Sequence, residues 1–81
     1  MPTSPSAVLD AARIQAGMAA ADVWLAYFAL GGNETFQGVR AILEGSHVPS
    51  QPDYDLLAQA LNERFMDRGA NHPVPYRDEI D

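Results

Sequence analysis

The feature that most constrains this chain is an alanine-rich run of 24 residues, from Ala7 to Leu30, that contains no proline. Alanine is the strongest helix former, so the run predicts one long helix. Its second half, VWLAYFAL, is apolar around the whole circumference, whereas a surface helix carries a single apolar stripe. The fold therefore has to cover this helix on more than one side.

The first helix is expected to end at a glycine pair, and a second, short helix follows it. Glycine adopts the left-handed conformation without penalty, so Gly31 and Gly32 form a natural terminator. Asn33 is placed to cap the second helix, and Gly45 closes it. Apolar residues at three- and four-residue spacing predict its buried stripe: Phe36, Val39, Ile42 and Leu43.

A third helix of medium length is predicted after an irregular connection that contains two prolines. Ser50, followed three residues later by Asp53, resembles a capping box with a shorter acid, and Gly69 stops the helix. One face of this helix is apolar and comprises Tyr54, Leu57, Ala58, Leu61 and Phe65. No stretch of the sequence shows the alternation of apolar and polar residues that a half-buried strand would have, and the chain contains no internal repeat.

The expected fold class is all-α. It is a three-helix bundle with a long helix 1, a short helix 2, a medium helix 3 and an extended C-terminal tail. Residues 1–81 form a single helical domain, in which 1–6 are an irregular lead-in and 70–81 an extended or partly disordered tail. Prolines at alternate positions forbid a helix around Val74 in the tail. Folding Val74 and Tyr76 back over helix 1 would help to cover it.

The size of the chain favours a partner. A domain of 81 residues removes only about 60% of its unfolded surface from water, and 13 of its 38 apolar residues are alanine. A homodimer formed through helix 1 would complete the burial, because small residues at four-residue spacing let two helix backbones approach closely. The candidate partner-binding residues are Ala16, Ala20, Trp24, Tyr27, Phe28, Val74 and Tyr76.

The charge of the chain argues against nucleic acid and membranes as partners. The net charge is −6, lysine is absent and no segment is basic, so a phosphate-binding surface is not expected. The eight-residue apolar run that starts at Val23 is far shorter than the roughly 20 residues that span a bilayer. The N-terminus also lacks the basic region of a signal peptide. We therefore expect a cytoplasmic protein.

No catalytic, cofactor-binding or metal-binding residue is predicted, and cysteine is absent. The hydroxyl side chains lie in the lead-in, at helix caps or in the 45–52 loop, where capping and turn roles prevail. A catalytic triad could be assembled from Ser46 or Ser50 with His47 and Asp53. However, neither serine lies in the glycine-flanked turn that exposes a nucleophilic serine in hydrolases. Neither His47 nor His72 has the helical partner typical of a metal pair.

Three functions remain open. The first is a non-enzymatic protein-interaction or regulatory module that binds itself, another protein, or both. The second is a small helix-turn-helix-like transcription regulator, which the eight-residue connection and the acidic start of helix 3, with Asp53 and Asp55, disfavour. The third is an acidic, antitoxin-like inhibitor of a partner protein, suggested by the small size, the acidity and the extended tail.

Overall fold

A computed structural model describes residues 4–71 and 73–80, and this part of the chain contains helices and no strand. The four α-helices are α1 (Pro5–Gln15), α2 (Ala20–Ala29), α3 (Phe36–Glu44) and α4 (Gln51–Asp67), and a 3₁₀ turn follows at Arg77–Glu79. The prediction of an all-α fold is confirmed. Predictions that involve residues 1–3, His72 and Asp81 lie outside the described residues.

The predicted long helix 1 is wrong, because it is two helices, and the three-helix bundle is accordingly a four-helix arrangement. Gly17 has a φ of +68° and separates α1 from α2. The amides of Gly17 and Met18 donate to the carbonyls of Ile14 and Arg13, which is the pairing of a Schellman motif. Helix propensity summed along the alanine run misses this break, because one glycine in the left-handed conformation is sufficient to end a helix.

The predicted C-terminal ends of the other helices are confirmed. Gly31, Gly45 and Gly69 all have positive φ, and the same pattern of amide-to-carbonyl bonds closes α2, α3 and α4. Ser50 caps α4 by accepting a hydrogen bond from the Asp53 amide. The cap of α3 is Thr35 rather than the predicted Asn33, since Thr35 Oγ1 accepts from the amide three residues further along.

α1 and α2 each pack against α3 and α4, and the apolar stripes meet between them. The predicted inner residues of α3 and α4 are buried, apart from Phe36 and Phe65, which are half-buried at the edge. α1, α2 and the short link between them contribute Leu9, Ala12, Ala16, Met18, Val23 and Tyr27. Small side chains in α1 thus allow close packing within one chain, whatever they do between chains.

Both ends of the described chain are more ordered than the irregular lead-in over 1–6 and the extended or partly disordered tail over 70–81 that the sequence predicts. α1 begins at Pro5, so the helix includes two residues of the predicted lead-in. Val74 is 3% exposed, and Arg77–Glu79 form a 3₁₀ turn where an extended or disordered segment was expected. None of the helices among residues 4–71 and 73–80 combines the length and the apolar character that crossing a membrane requires.

Candidate functional site

The outward face of α2 carries an apolar stripe, which we call the outer stripe and define as Ala21, Trp24, Leu25 and Phe28. These positions follow the i, i+3, i+4, i+7 spacing of one helix face. Leu25 is 57% exposed and Phe28 59% exposed. The only charged residue of α2 is Asp22. The helix therefore presents apolar side chains both to the core and to its outer surface.

Trp24 is the fixed member of the outer stripe. Its indole Nε1 donates a hydrogen bond to the carbonyl of Glu34 at 3.0 Å, which ties α2 to the segment that leads into α3. Its ring lies 5.4 Å from that of Phe28 and meets Phe36 edge-on at 6.3 Å. Such offset and edge-to-face pairs are favourable aromatic geometries. The half-buried indole thus provides a rigid base for the more exposed Phe28.

Tyr27 lies on the opposite, inner side of α2 and has no exposed surface. Its hydroxyl donates to Asp53 Oδ1 at 2.8 Å and accepts from the Glu34 amide at 2.8 Å. Burial raises the pKa of Tyr27, and the carboxylate of Asp53 adds to this rise, so the hydroxyl keeps its proton over the physiological range. Tyr27 joins α2 to α4 inside the chain and cannot reach a partner in this arrangement.

The predicted small-residue contacts also lie inside the chain. Ala16 is fully buried in the core, and Ala20 is half-buried against it. Of the residues predicted to bind a partner, the structure therefore brings Trp24 and Phe28 together on one surface. It places Ala16, Ala20 and Tyr27 within the subunit.

The tail residues Val74 and Tyr76 contact other elements than the outer stripe. Val74 is buried between α1 and α4, and its amide and carbonyl bond to the side chain of Asn62, both at 2.9 Å. Tyr76 remains 37% exposed. The tail folds back onto the helices, an arrangement considered from the sequence for Val74 and Tyr76. It leaves the exposed side of α2 uncovered.

Two further residues of α4 hold the tail, and no pattern in the sequence links either of them to it. Tyr54 donates its hydroxyl to the carbonyl of Pro75 at 2.9 Å, and Asp55 accepts from the Arg77 amide at 2.8 Å. Burial raises the pKa of Tyr54 to about 12, and the neighbouring carboxylate of Asp55 contributes to this rise. Together with Asn62, these side chains form what we call the tail cradle.

Asn62 is the residue of the candidate site that the sequence pattern reveals least. It is 1% exposed, although it is polar and is not part of the apolar face that the sequence predicts for the third helix. Its position directly after Leu61 puts it beside the buried stripe, where only a fully bonded polar side chain is tolerated. In the sequence, Pro73 and Pro75 leave Val74 with the one backbone amide between them, which a polar side chain has to bond if the segment is buried. The fold shows that Asn62 is that side chain.

The residues considered for catalysis are not assembled. His47 Nε2 lies 3.7 Å from Glu34 Oε2 and not beside Asp53 or Asp55. Ser50 is taken up by the α4 cap, and the Ser46 hydroxyl donates to the Ala41 carbonyl. Among the described residues, no three side chains of the metal-binding types lie close enough to hold an ion.

An open groove of about 380 Å³ runs between α2 and α4, beside the outer stripe. Its floor is apolar, whereas three carboxylates and one guanidinium stand around it. The lining residues are Met18, Asp22, Leu25, Ala26, Ala60, Glu63, Arg64 and Asp67. The groove thus adds an acidic border to one side of the apolar surface.

Residues 4–71 and 73–80 thus form a small, all-helical fold that presents an apolar stripe on α2 and packs its tail against α4. Comparison with protein-family models, with curated proteins and with solved structures gives no significant match. Its function therefore has to follow from the geometry of its own residues.

Proposed function

We propose that this chain is a non-enzymatic protein-interaction module that pairs as a homodimer through the outer stripe of α2. The observation that carries the proposal is the joint exposure of Leu25 and Phe28 beside the half-buried Trp24. Single exposed apolar residues are ordinary on protein surfaces, but a contiguous set on one helix face is typical of a contact site. Aromatic side chains on a fixed base are the usual anchors of such sites.

The self-pairing follows from the chemistry of the stripe. A two-fold interface uses the same surface patch on both subunits, so a patch must be compatible with itself. The outer stripe contains no charged residue, whereas the chain as a whole carries −6 and repels its own copy elsewhere. Burial of one large apolar side chain contributes about 1.5 to 3 kcal/mol to the free energy of association. In a two-fold contact the same residue is buried on both subunits, so each position of the stripe contributes two side chains. The groove shares Leu25 with the stripe, so in the dimer its acidic border of Asp22, Glu63 and Asp67 lies at the edge of the interface, and this border is the surface that another protein would contact in a regulatory or adaptor role.

The alternative of a DNA-binding regulator has less support. A recognition helix reads bases with its N-terminal residues, and here Asp53 bonds Tyr27 while Tyr54 bonds the tail. The antitoxin-like alternative needs a tail that extends toward a partner, whereas Val74 is buried in the chain. A low-salt DNA titration and a pull-down from cells are the measurements that would bring these alternatives back.

The homodimer is tested by sedimentation velocity and light scattering between about 1 and 100 μM, the range over which a micromolar association becomes visible. The variant Phe28→Glu places a charge on the most exposed aromatic side chain of the stripe and is expected to give monomers. The matched control is Val48→Glu, because Val48 is 81% exposed in the loop before α4 and lies outside the stripe. Monomeric behaviour of the unmodified chain at the upper concentration would refute the pairing.

A further inference from the structure

The side chains of the tail cradle form hydrogen bonds with the main chain of the tail segment that occupies it. Asn62 uses both atoms of its amide on Val74, accepting from the Val74 amide and donating to the Val74 carbonyl. Tyr54 bonds the Pro75 carbonyl, and Asp55 bonds the Arg77 amide. Every one of these contacts is to a backbone atom, as in the recognition of extended peptides by an added strand.

The buried state of the cradle makes it a built site. Asn62 and Tyr54 are at most 1% exposed, so their polar atoms need partners that water cannot supply. The occupant matches this need closely, because Pro73 and Pro75 have no amide proton and Val74 carries the single amide between them. Prolines on both sides also hold the segment extended before it binds, which lowers the entropy lost on docking.

The tail leaves part of its site empty. An open apolar cavity of about 310 Å³ remains beside the segment, between α1 and α4. It is lined by Ala7, Val8, Ala11, Ala12, Gln15, Phe65, Pro73, Val74 and Pro75. A segment with a larger apolar side chain at this point would bury more surface than Val74 does. The chain's own tail is therefore a fitting but incomplete occupant.

We propose that the tail cradle is a peptide-binding site, occupied in cis by residues 73–77, that accepts in trans an extended segment of another protein. That segment carries an apolar side chain larger than valine between two prolines. Exchange is favoured by the exposed, glycine-containing link from Gly69 to Asn71, which lets the tail leave without unwinding α4. This site lies apart from the outer stripe, so it stands or falls separately from the homodimer.

The test uses the full chain and a labelled synthetic peptide of residues 70–81, followed by fluorescence anisotropy. Val74→Pro removes the amide proton that Asn62 Oδ1 accepts, so this buried oxygen loses its partner; the variant is expected to release the tail and changes no residue of the cradle. Because the cis tail competes at millimolar effective concentration, its release is expected to strengthen peptide binding at least about tenfold. A peptide with leucine in place of Val74 is expected to bind about fourfold more tightly still, from one additional buried methylene.

Matched variants separate the cradle from the rest of α4. Asn62→Ala in the released chain should abolish binding, whereas Gln59→Ala should leave it unchanged, since the Gln59 amide donates to Glu63, one turn further along α4, and none of the bonds that hold the tail involves it. A released, folded chain that fails to bind the peptide would overturn the proposal, and weaker binding of the leucine peptide would overturn the choice of a larger side chain.

A second measurement does not depend on the released variant folding. In the isotope-labelled, unmodified chain, millimolar unlabelled peptide should produce a second set of NMR signals for the tail at the positions of a free segment. Unchanged tail signals at saturating peptide would contradict exchange. If instead the chain alone shows concentration-dependent tail exchange between copies, the cradle binds peptide in trans and its occupant is a second copy, which overturns the assignment to another protein.

Discussion

Gly32 lies against the ring of Tyr27 so closely that a Cβ at residue 32 would overlap the ring. The contact occurs where the chain leaves α2, and it brings the Glu34 amide to the Tyr27 hydroxyl. The glycine pair thus has two separate duties. Gly31 supplies the positive φ that ends the helix, and Gly32 supplies the space that the buried tyrosine occupies.

Replacing Gly32 by alanine is therefore expected to lower the free energy of unfolding by about 1 to 3 kcal/mol, because overpacking displaces a fully buried ring. Urea denaturation followed by Trp24 fluorescence measures the change. Gly31→Asn is the control, because nothing lies within 4 Å of a Cβ there; it carries only the backbone strain of a φ of +96°, which asparagine bears better than most residues, and is expected to lose less stability. Equal losses in the two variants would show that the ring contact is unimportant.

The Tyr27 hydroxyl itself is expected to matter as much as its ring. Tyr27→Phe leaves the Glu34 amide without its acceptor and Asp53 without its donor. Loss of a hydrogen bond by a buried group costs about 1 to 3 kcal/mol. Thermal unfolding by circular dichroism should show this loss, and Tyr76→Phe, at an exposed tyrosine, should show almost none. A Tyr27→Phe variant as stable as the parent would contradict the network.

The break between α1 and α2 makes a prediction of its own. Gly17→Ala puts a side chain at a φ of +68° and should reduce stability by about 1 to 2 kcal/mol. Gly17→Asn should lose less, because asparagine adopts this conformation more readily. Should Gly17→Ala instead stabilise the chain and increase its helix content, α1 and α2 would behave as the continuous helix that the sequence alone indicates.

Much of the fold could be predicted because it is encoded by local patterns. The apolar spacing in α3 and α4 and the glycines at 31, 45 and 69 identified the elements, their buried faces and their ends. Gly17 was missed since a glycine within an alanine run is compatible with a helix or with its end, and the choice depends on where α3 and α4 allow α1 to pack.

The surfaces were harder to predict than the elements. The apolar circumference of α2 predicts apolar side chains on more than one side of the helix, but the sequence could not say that Tyr27 faces inward and Phe28 outward. The tail cradle depends on Asn62 meeting Val74 twelve residues away, with Tyr54 and Asp55 meeting residues more than 20 positions distant. Such long-range pairings have no periodic signature along the chain.

The buried phenol of Tyr54 makes stability depend on pH in the alkaline range. Its pKa is raised from 10.0 to about 12, so between these values the unfolded chain releases a proton that the folded chain retains. Stability from this group is complete below pH 10 and is lost as the pH rises toward 12, and Tyr27 acts in the same direction. Urea midpoints between pH 8 and 11.5 should fall with pH, less steeply in Tyr54→Phe than in Tyr76→Phe. Parallel profiles for the two variants would show that Tyr54 titrates in the folded chain as it does in the unfolded one.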